Sequence, residues 1–321
     1  MAWLRLIRWK NLLIIFLTQF LAWRCVIVPQ ISGLISHRAF FFFTVNFLCI
    51  SISTILIAAA GYIINDYFDI KIDTINRPDK VILGKTIARK TAIVLHTILN
   101  IVALFLAGFV AAQTGDYEWL LLQLSCTVLL WFYSTHFKRQ YISGNLVVSL
   151  LTALTILILI VYNPAIYQIT PLQALSVNGT SFLPAWTLII YSFFAFMLTW
   201  MREVVKDMED FKGDEAEGCI TMPIKKGLKY SIRFVRTLSA LVIITLIISG
   251  YILFRHQYWL LCGYILLLLV LPLVNWIVYL DKEFTSQHYH MCSRRLKIIM
   301  VFGVMSLLVY YFQLILSNGT I

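Results

Sequence analysis

The stretch that decides the fold is G-Y-I-I-N-D-Y-F-D-I-K-I-D at residues 61–73, where a long apolar run ends in three spaced aspartates. The same aspartate spacing returns at residues 202–214, in R-E-V-V-K-D-M-E-D-F-K-G-D. Both stretches read D-x-x-D-x-x-x-D. On an α-helix, aspartates spaced in this way lie within about 60° of one another. We therefore predict that each stretch presents three carboxylates on one helix face.

Three carboxylates on one face repel one another unless cations lie between their oxygens. Magnesium is the natural cation, because it favours hard oxygen ligands and, when held by a few carboxylates, usually binds substrate phosphates as well. The predicted magnesium ligands are Asp66, Asp69, Asp73, Asp207, Asp210 and Asp214. Asp79 lies outside the helical register and is not an expected ligand. The alternatives are a solvated loop and a salt-bridged helix end, which would explain Glu209 and Glu217 but not the repeated spacing.

The composition is that of a membrane protein. The chain is 60% hydrophobic and 13% charged, with a mean hydropathy of +0.85, whereas a soluble domain is about 45–50% apolar and about 25% charged. The net charge of +11 does not indicate a nucleic-acid partner, because basic residues beside apolar spans set topology and contact anionic headgroups. The six cysteines contain no C-x-x-C pair and are predicted to be small core residues.

Nine apolar stretches are long enough to cross about 30 Å of hydrocarbon. They lie near residues 11–36, 39–64, 89–112, 117–136, 142–163, 184–205, 231–254, 258–280 and 297–317. We therefore predict an all-α, polytopic membrane protein with nine transmembrane helices in a single domain over residues 1–321. Segments 65–90 and 206–230 are expected to form a cap at one membrane face.

The distribution of charge predicts the orientation. Alternate connecting segments carry 23 of the 26 Lys and Arg residues, and they also contain both aspartate stretches. The positive-inside rule then places the N-terminus and both stretches on the cytoplasmic side. Acid clusters at a membrane edge are costly and are therefore functional by default. We expect an integral, multi-pass protein of a bacterial or archaeal-type cell membrane, with its active site facing the cytoplasm.

Further polar residues near the predicted cytoplasmic helix ends are candidates for substrate contact. Lys138 is a suitable point charge for a diphosphate, and Tyr133 can donate to a phosphate oxygen or stabilise a cation with its ring. Arg202 is either a phosphate contact or a structural partner. The other candidates for substrate binding are Asn65, Arg77, Asn11 and Asn145, of which the last two could instead pack between helices. Arg24 lies inside the first predicted helix and has no assigned role.

This set of motifs, in this order, resembles the UbiA superfamily of intramembrane prenyltransferases. The resemblance rests on N-D-x-x-D-x-x-x-D followed by R-P at residues 65–78, Y-S-x-x-F-K at 133–138 and the second aspartate motif, and it covers nearly the whole chain. It implies a ring of helices around a central cavity, with both aspartate motifs at a cytoplasmic cap. By resemblance, Asn65 belongs to the first motif, and Tyr133 and Lys138 form the Y-S-x-x-F-K element.

Residues 65–82 and the T-M-P-I at 221–224 look similar to the digeranylgeranylglyceryl phosphate synthase-like members, which join a prenyl chain to a prenylglycerol phosphate. Quinone-pathway members often carry Tyr-Ala in the second motif, where this chain has D-M-E-D. This departure argues against 4-hydroxybenzoate as the acceptor but leaves a naphthoate open. Asp79-Lys80 also departs from the commoner R-P-x-R-P-L.

The resemblance implies Mg²⁺-dependent transfer of a polyprenyl group from a prenyl diphosphate to a lipid-soluble acceptor, for which a prenylglycerol phosphate is the best candidate. Prenylation of an aromatic quinone precursor is the alternative. A divalent-cation transporter is the alternative from another class, but transporter sites lie near the bilayer midplane rather than at one face. The expected partners are the prenyl diphosphate, a hydrophobic acceptor and the lipid bilayer, with no nucleic acid and no obligate protein partner.

Overall fold

The computed structural model describes residues 2–31, 36–162, 184–281 and 284–318. Apart from an isolated bridge between Leu83 and Ile87, the described residues form helices joined by turns and loops. The predicted all-α class is therefore confirmed. Residues 32–35 of the first predicted span, residue 163 of the fifth and Lys282 lie outside the described residues.

The helices begin and end close to the predicted spans. In chain order they are α1 (Ala2–Leu6), α2 (Trp9–Ala22), α3 (Val28–Ile31), α4 (His37–Phe68), α5 (Ile70–Asn76), α6 (Arg89–Thr114), α7 (Glu118–Thr135), α8 (Ser143–Val161), α9 (Pro184–Glu209), α10 (Phe211–Ala216), α11 (Met222–Lys226), α12 (Leu228–Arg255), α13 (Trp259–Ile265), α14 (Leu271–Tyr279) and α15 (Ser286–Asn318). Short π-helical turns at Trp23–Ile27 and Leu266–Val270 continue α2 into α3 and α13 into α14. The largest departure is α15, which begins well before the predicted residue 297.

Within the described residues, eight helical runs are long and apolar enough to cross a membrane. They are Trp9–Ile27, His37–Phe68, Arg89–Thr114, Ser143–Val161, Pro184–Glu209, Leu228–Arg255, Trp259–Tyr279 and Ser286–Leu316. The remaining predicted span is formed by α7, whose 18 residues include Glu118 and Gln123 and extend only about 27 Å. The chain is thus a multi-pass membrane protein, whereas the count of nine spans and the side of the N-terminus stay predictions.

The chain divides into two compact units. The first unit comprises Met1–Gln19, Ile35–Asn163 and Lys212–Thr221. The second unit comprises Phe20–Leu34, Pro164–Phe211 and Met222–Ile321. The assignment of residues 1–321 to a single functional domain stays a prediction.

In the first unit, α4 packs against α6 and α7. Two polar contacts tie these helices together: Ser53 Oγ donates to the Ala103 carbonyl at 2.8 Å, and Gln123 Nε2 donates to Thr54 Oγ1 at 3.0 Å. At the end of α4 that carries the first aspartate motif, a buried apolar cluster includes Leu6, Ile63, Leu83, Ile87 and Ala92. This cluster anchors α1 and the 83–87 loop beside the motif.

In the second unit, α9 packs against α12 and α15. The hydroxyls of Tyr191 and Ser306 are 2.6 Å apart, and Trp276 Nε1 donates to the Cys292 carbonyl at 2.9 Å. The guanidinium of Arg24 lies 5.0 Å from the centroid of the Tyr311 ring, a cation–π contact that partly offsets the cost of a charge within a membrane span. All six cysteines lie in the described residues and are free thiols.

Candidate active site

The first aspartate motif spans an interruption between two helices. Helix α4 ends at Phe68, Asp69 has φ −88° and ψ 1°, and α5 begins at Ile70. Helical hydrogen bonding nevertheless continues, because the Asp69 N–H donates to the Asn65 carbonyl at 3.0 Å and the Asp73 N–H donates to the Asp69 carbonyl at 2.8 Å. The helical spacing of the three aspartates is therefore retained although one residue leaves the regular helix.

Two carboxylates of this motif are paired with basic side chains from other elements. Arg8 Nη2 donates to Asp66 Oδ1 at 2.7 Å. Lys138 Nζ donates to Asp69 Oδ2, which also accepts from Asn65 Nδ2 at 2.6 Å. Asp69 is only 5% exposed, so its charge requires these donors. The protein thus supplies two cations of its own to the predicted metal ligands.

Arg8 was not singled out as a site residue by the sequence. It has φ +51°, a left-handed conformation that is uncommon for residues other than glycine, and its guanidinium lies 4.9 Å from the centroid of the Tyr62 ring. Burial opposes its charge, but Asp66, followed by Tyr62 and Asp69, holds the pKa of Arg8 above its usual value. A basic residue before the first span is explained by the positive-inside rule alone, and no sequence spacing relates Arg8 to Asp66.

The turn that carries Lys138 packs directly against the start of α8. This turn is a 3₁₀ helix at Phe137–Arg139. A Cβ at Gly144 would lie 2.7 Å from the Phe137 carbonyl oxygen and 2.8 Å from the Lys138 Cα. Only glycine allows the two backbones to approach so closely, and the Lys138 backbone is fixed as a result.

The surroundings of Lys138 keep it protonated. Burial disfavours the ammonium, but Asp69, Tyr133 and Asp214 raise the pKa of Lys138 above its usual value. Three predicted site residues, one of them from the second aspartate motif, therefore act on the same lysine. The structure thus brings together residues that lie far apart in the sequence.

Asp66 and Asp73 line a small pocket of about 20 Å³, together with Ile70, Val81, Ile82 and Leu83. Burial raises the pKa of Asp73 to about 6, with a further contribution from Asp69 and Asp66 that Lys138 and Arg8 oppose. The raised pKa reflects first the burial of this carboxylate away from water and then the negative charge of its aspartate neighbours. A bound cation would counter both effects.

The side chains of this cluster match Mg²⁺ in the kind of ligand that they offer. The donors are carboxylate and amide oxygens, and the pocket exceeds the volume of about 10–15 Å³ that one water molecule needs. The Oδ1 of Asn65 is buried and has no hydrogen-bond partner among the described residues. The same part of the chain contains no preassembled group of three His, Cys, Asp or Glu ligands. Arg8 and Lys138 each bond to one oxygen of their aspartate, so Mg²⁺ binding here would either displace these cations or use the second carboxylate oxygens.

The second aspartate motif repeats the backbone pattern of the first. Helix α9 carries Asp207 and ends at Glu209, Asp210 lies in a bend, and α10 carries Asp214. The Asp210 N–H donates to the Lys206 carbonyl at 2.8 Å, so helical bonding again continues through the interruption. In both copies a long helix is interrupted at the second aspartate, and a short helix carries the third.

The ion pairs observed beside this motif involve glutamates. Glu203 accepts from Lys206 at 2.9 Å, one helical turn away, and from Arg202 Nη1 at 3.2 Å. The salt-bridged helix end therefore explains Glu203. The Nε of Arg202 is buried without a hydrogen-bond partner in the described part of the chain. The contact recorded for Arg202 is thus structural, and its role toward phosphate stays a prediction.

Glu209 bonds to α15 through both its carboxylate and its carbonyl. Its carboxylate is 2.7 Å from His290 Nδ1, and its carbonyl accepts from Ser286 Oγ at 2.8 Å. Both contacts hold the last residue of α9, directly before Asp210. The sequence offered no signal for His290, because the partners are 81 residues apart.

Residues 212–221 belong to the first unit, and this 212–221 segment brings Asp214 there. The Gly213 N–H donates to Asn76 Oδ1 at 2.9 Å, and the Ile220 N–H donates to the Arg139 carbonyl at 2.8 Å. Asp214 is 5% exposed. The third aspartate of the second motif therefore lies in the same unit as the whole first motif.

The remaining predicted substrate contacts lie on three different elements. Arg77 follows α5 and its N–H donates to the Asp73 carbonyl at 2.8 Å. Asn11 lies in α2 and Asn145 in the first turn of α8, and both are half-buried. Their roles toward substrate stay predictions.

The UbiA prenyltransferase family model matches residues 26–312 of the chain. Among curated proteins, digeranylgeranylglyceryl phosphate synthase of Methanothermobacter thermautotrophicus is 32% identical over 64% of this chain. The enzyme of the same name from Methanosphaera stadtmanae is 28% identical over 87% of it. The chain spans 63% of the first relative's length and 92% of the second's.

Solved structures show the same fold. The structure reported for digeranylgeranylglyceryl phosphate synthase in membranes has a TM-score of 0.62 and 24% identity, and the match covers 97% of this chain and 98% of that one. A UbiA homolog from Archaeoglobus fulgidus, bound to DMAPP and Mg²⁺, has a TM-score of 0.58 and 16% identity over 96% of this chain and 99% of that one. The fold, the order of the motifs and the family model agree, and the chain belongs to the UbiA prenyltransferase family.

Proposed function

We propose that this protein catalyses Mg²⁺-dependent transfer of a polyprenyl group from a prenyl diphosphate to a prenylglycerol phosphate. The observation that carries this proposal is the cluster in which Asp69 meets Asn65 and Lys138 beside Asp66 and Asp73. The family and the names of the relatives support the substrate class. The solved structure of a UbiA homolog bound to DMAPP and Mg²⁺ supports the cofactor.

The six aspartates are the proposed metal ligands, three in each motif. Bound Mg²⁺ would neutralise the charge of the diphosphate and make it a better leaving group. Asn65 would add its amide oxygen at the first motif, since that atom is buried and has no partner among the described residues. We propose that both motifs act on the same diphosphate, so neither is sufficient alone.

Lys138 is the proposed catalytic cation. It is bonded to Asp69 in the structure, and in the proposed reaction it exchanges that carboxylate for the leaving diphosphate oxygens and stabilises the charge that develops on them. Arg202 and Arg77 are the further proposed phosphate contacts. Tyr133, which lies close enough to act on Lys138, can donate to a phosphate oxygen or steady an allylic cation with its ring.

In the proposed reaction the allylic C–O bond breaks and diphosphate leaves with the electron pair. The acceptor hydroxyl oxygen then bonds to the allylic carbon and loses its proton, which gives an ether. Asn11 and Asn145 are proposed contacts of the substrates. Apolar surroundings exclude water from the cation-like carbon, and burial of the isoprenoid tail contributes about 0.8 kcal/mol per CH₂.

We further propose that the chemistry takes place at the cytoplasmic face, in a single domain with a ring of helices and without an obligate protein partner. The distribution of basic residues supports this orientation. A membrane-impermeant maleimide applied to intact cells and to inverted vesicles tests it. A single cysteine introduced at Asp79 should react in inverted vesicles only, and reaction in intact cells would reverse the orientation.

A transfer assay tests the function. Purified protein in detergent receives Mg²⁺ and radiolabelled geranylgeranyl diphosphate, with geranylgeranylglyceryl phosphate, 1,4-dihydroxy-2-naphthoate or 4-hydroxybenzoate in parallel tubes. We expect an EDTA-sensitive labelled lipid with the glycerol phosphate. Product with an aromatic acceptor alone would assign the protein to quinone-type prenylation instead, and no product in any tube would contradict the proposed function.

A further inference from the structure

We propose that Asn76 is a positioning residue that holds Asp214 within the acid–base cluster of the first unit, through the 212–221 segment. This inference rests on the proposed function, in which Asp214 is a metal ligand. Asn76 itself touches neither substrate nor metal in this proposal. It acts through the backbone of the residue that precedes Asp214.

The hydrogen bond from Gly213 to Asn76 links the two short helices that carry the third aspartates of the motifs, Asp73 and Asp214. Asn76 is the last residue of α5, three positions after Asp73. Its Oδ1 accepts from the Gly213 N–H at 2.9 Å, and Gly213 is directly followed by Asp214. One side-chain amide thus connects the short helix that carries Asp73 to the short helix that carries Asp214.

The contact leaves no room for a side chain at position 213 unless the Asn76 amide moves. A Cβ on Gly213 would lie 2.4 Å from Asn76 Nδ2 and 2.6 Å from its Cγ. Gly213 is buried beneath this amide. The backbone of the 212–221 segment therefore lies directly on the Asn76 side chain at Gly213.

A second hydrogen bond fixes the other end of the segment. The Ile220 N–H donates to the Arg139 carbonyl at 2.8 Å, and Arg139 directly follows Lys138. Between the two anchors, the Cys219 N–H donates to the Asp214 carbonyl at 2.9 Å. The segment is thus tied to the neighbour of Lys138 and to the helix of Asp73, and Asp214 is held between these attachments.

The consequence of losing one anchor follows from how ligands are oriented. A side chain that orients a metal ligand without binding the metal typically contributes about 10–100-fold to metal affinity or activity. Without the Asn76 amide, Gly213 loses its acceptor and Asp214 loses its fixed position near Lys138. We therefore expect Mg²⁺ activation to weaken while the helices remain folded.

The test compares Asn76→Ala with Asn76→Asp, which keeps an oxygen acceptor at the same place. Asn100→Ala is the matched control, because it removes another half-buried amide, one that contacts His96 in α6. The first measurement is the Mg²⁺ concentration for half-maximal transfer. We expect Asn76→Ala to raise it by about tenfold or more, Asn76→Asp to stay closer to the wild type, and the control to leave it unchanged.

The second measurement needs no substrate or metal. Cys219 is 4% exposed in the folded segment, and Cys292 of the second unit is fully buried. Maleimide labelling of the metal-free protein, read by peptide mass spectrometry, should be faster at Cys219 in Asn76→Ala and unchanged at Cys292. Asn76→Asp should keep Cys219 protected.

A pair of glycine variants tests the contact from the other side. Gly213→Ala places a methyl group against Asn76 and should expose Cys219 and weaken Mg²⁺ activation. In Gly213→Ala combined with Asn76→Ala the obstructing side chain is gone, so the double variant should be no worse than Asn76→Ala alone. Additive defects would contradict the contact.

The outcomes separate this inference from the proposed function. Unchanged Cys219 labelling in Asn76→Ala would overturn the inference, because the segment would then be held without the amide. Faster labelling with an unchanged Mg²⁺ requirement would also overturn it, because the role would be structural only. If the wild type shows no transfer with any acceptor, the proposed function fails, and with it the role of Asn76 toward a metal ligand, whereas the labelling still reports whether Asn76 holds the segment.

Discussion

The two aspartate motifs share one backbone pattern, and different kinds of residue form the ion pairs recorded at each. In the first motif, the aspartates themselves are paired, Asp66 with Arg8 and Asp69 with Lys138. Beside the second motif, the recorded ion pairs involve Glu203 and the His290 contact of Glu209. Repeated spacing therefore repeats the local helix geometry, while the recorded ion pairs at the two motifs involve different partners.

This difference divides the basic residues into two groups. Arg8 and Lys138 bind carboxylates that are proposed to hold Mg²⁺, so we expect metal and protein cations to compete for the same two carboxylates. The partners of the two glutamates bind groups that are not proposed ligands, so these contacts can persist when metal binds. We therefore expect Mg²⁺ to weaken the ion pairs of Arg8 and Lys138 and to leave the ion pairs of the two glutamates unchanged.

The largest expected effect comes from single variants that each remove one motif aspartate. Asp69→Asn and Asp210→Asn should each lower transfer by about 10³-fold or more, because a metal ion contributes several kcal/mol of transition-state stabilisation. Initial rates with saturating substrates and Mg²⁺ measure this. Asp79→Asn is the matched control, because Asp79 is an exposed acid outside the helical register. Near-normal rates in either motif variant would contradict the two-motif mechanism.

An intermediate effect is expected on the stability of the second unit. His290→Ala leaves the Glu209 carboxylate, which belongs to a residue only 7% exposed, without its recorded partner and should cost about 2 kcal/mol. Thermal unfolding in detergent measures the loss, and saturating Mg²⁺ should not restore it. His136→Ala, which removes an exposed histidine, should change little, and recovery of His290→Ala by Mg²⁺ would show that Glu209 is a ligand after all.

The smallest effect is expected for Arg8→Gln. The Arg8 and Asp66 side chains are 37% and 20% exposed, so the pair is partly screened and its loss should cost about 1 kcal/mol in the metal-free protein. Because Arg8 no longer competes for Asp66, Mg²⁺ should raise the unfolding temperature of this variant more than that of the wild type. Arg5→Gln, in the same N-terminal segment, is the control. An equal gain from Mg²⁺ in all three proteins would show that Arg8 and metal do not share Asp66.

Much of the fold follows from the sequence alone. Long apolar runs predict membrane helices because the hydrocarbon thickness sets their length, and the predicted span 89–112 differs from Arg89–Thr114 by two residues at one end. The span at 117–136 is the instructive case, because Gln123 and Glu118 make α7 less apolar than the others. Gln123 is buried and bonded to Thr54, so its polarity serves helix packing.

The candidate site was predictable only where its residues share a local pattern. The aspartates were found by their spacing, whereas Asn65 and Lys138 were candidates from their position near the helix ends and from the family resemblance. Arg8 and His290 were missed because an ion pair between distant segments leaves no trace in a local period. The interruptions at Asp69 and Asp210 were missed as well, since the spacing fits a continuous helix equally well.

Gly144 also bears on how the site assembles. Its contact with the Phe137–Arg139 turn joins residues only a few positions apart, whereas Lys138 and Asp69 are separated by 69 residues. Contacts that close short loops lose less chain entropy and form earlier in folding than those that close long ones. We therefore expect the turn that carries Lys138 to fold against α8 before Asp69 reaches it. Formation of the Lys138–Asp69 ion pair should then be the slow step in assembly of the site.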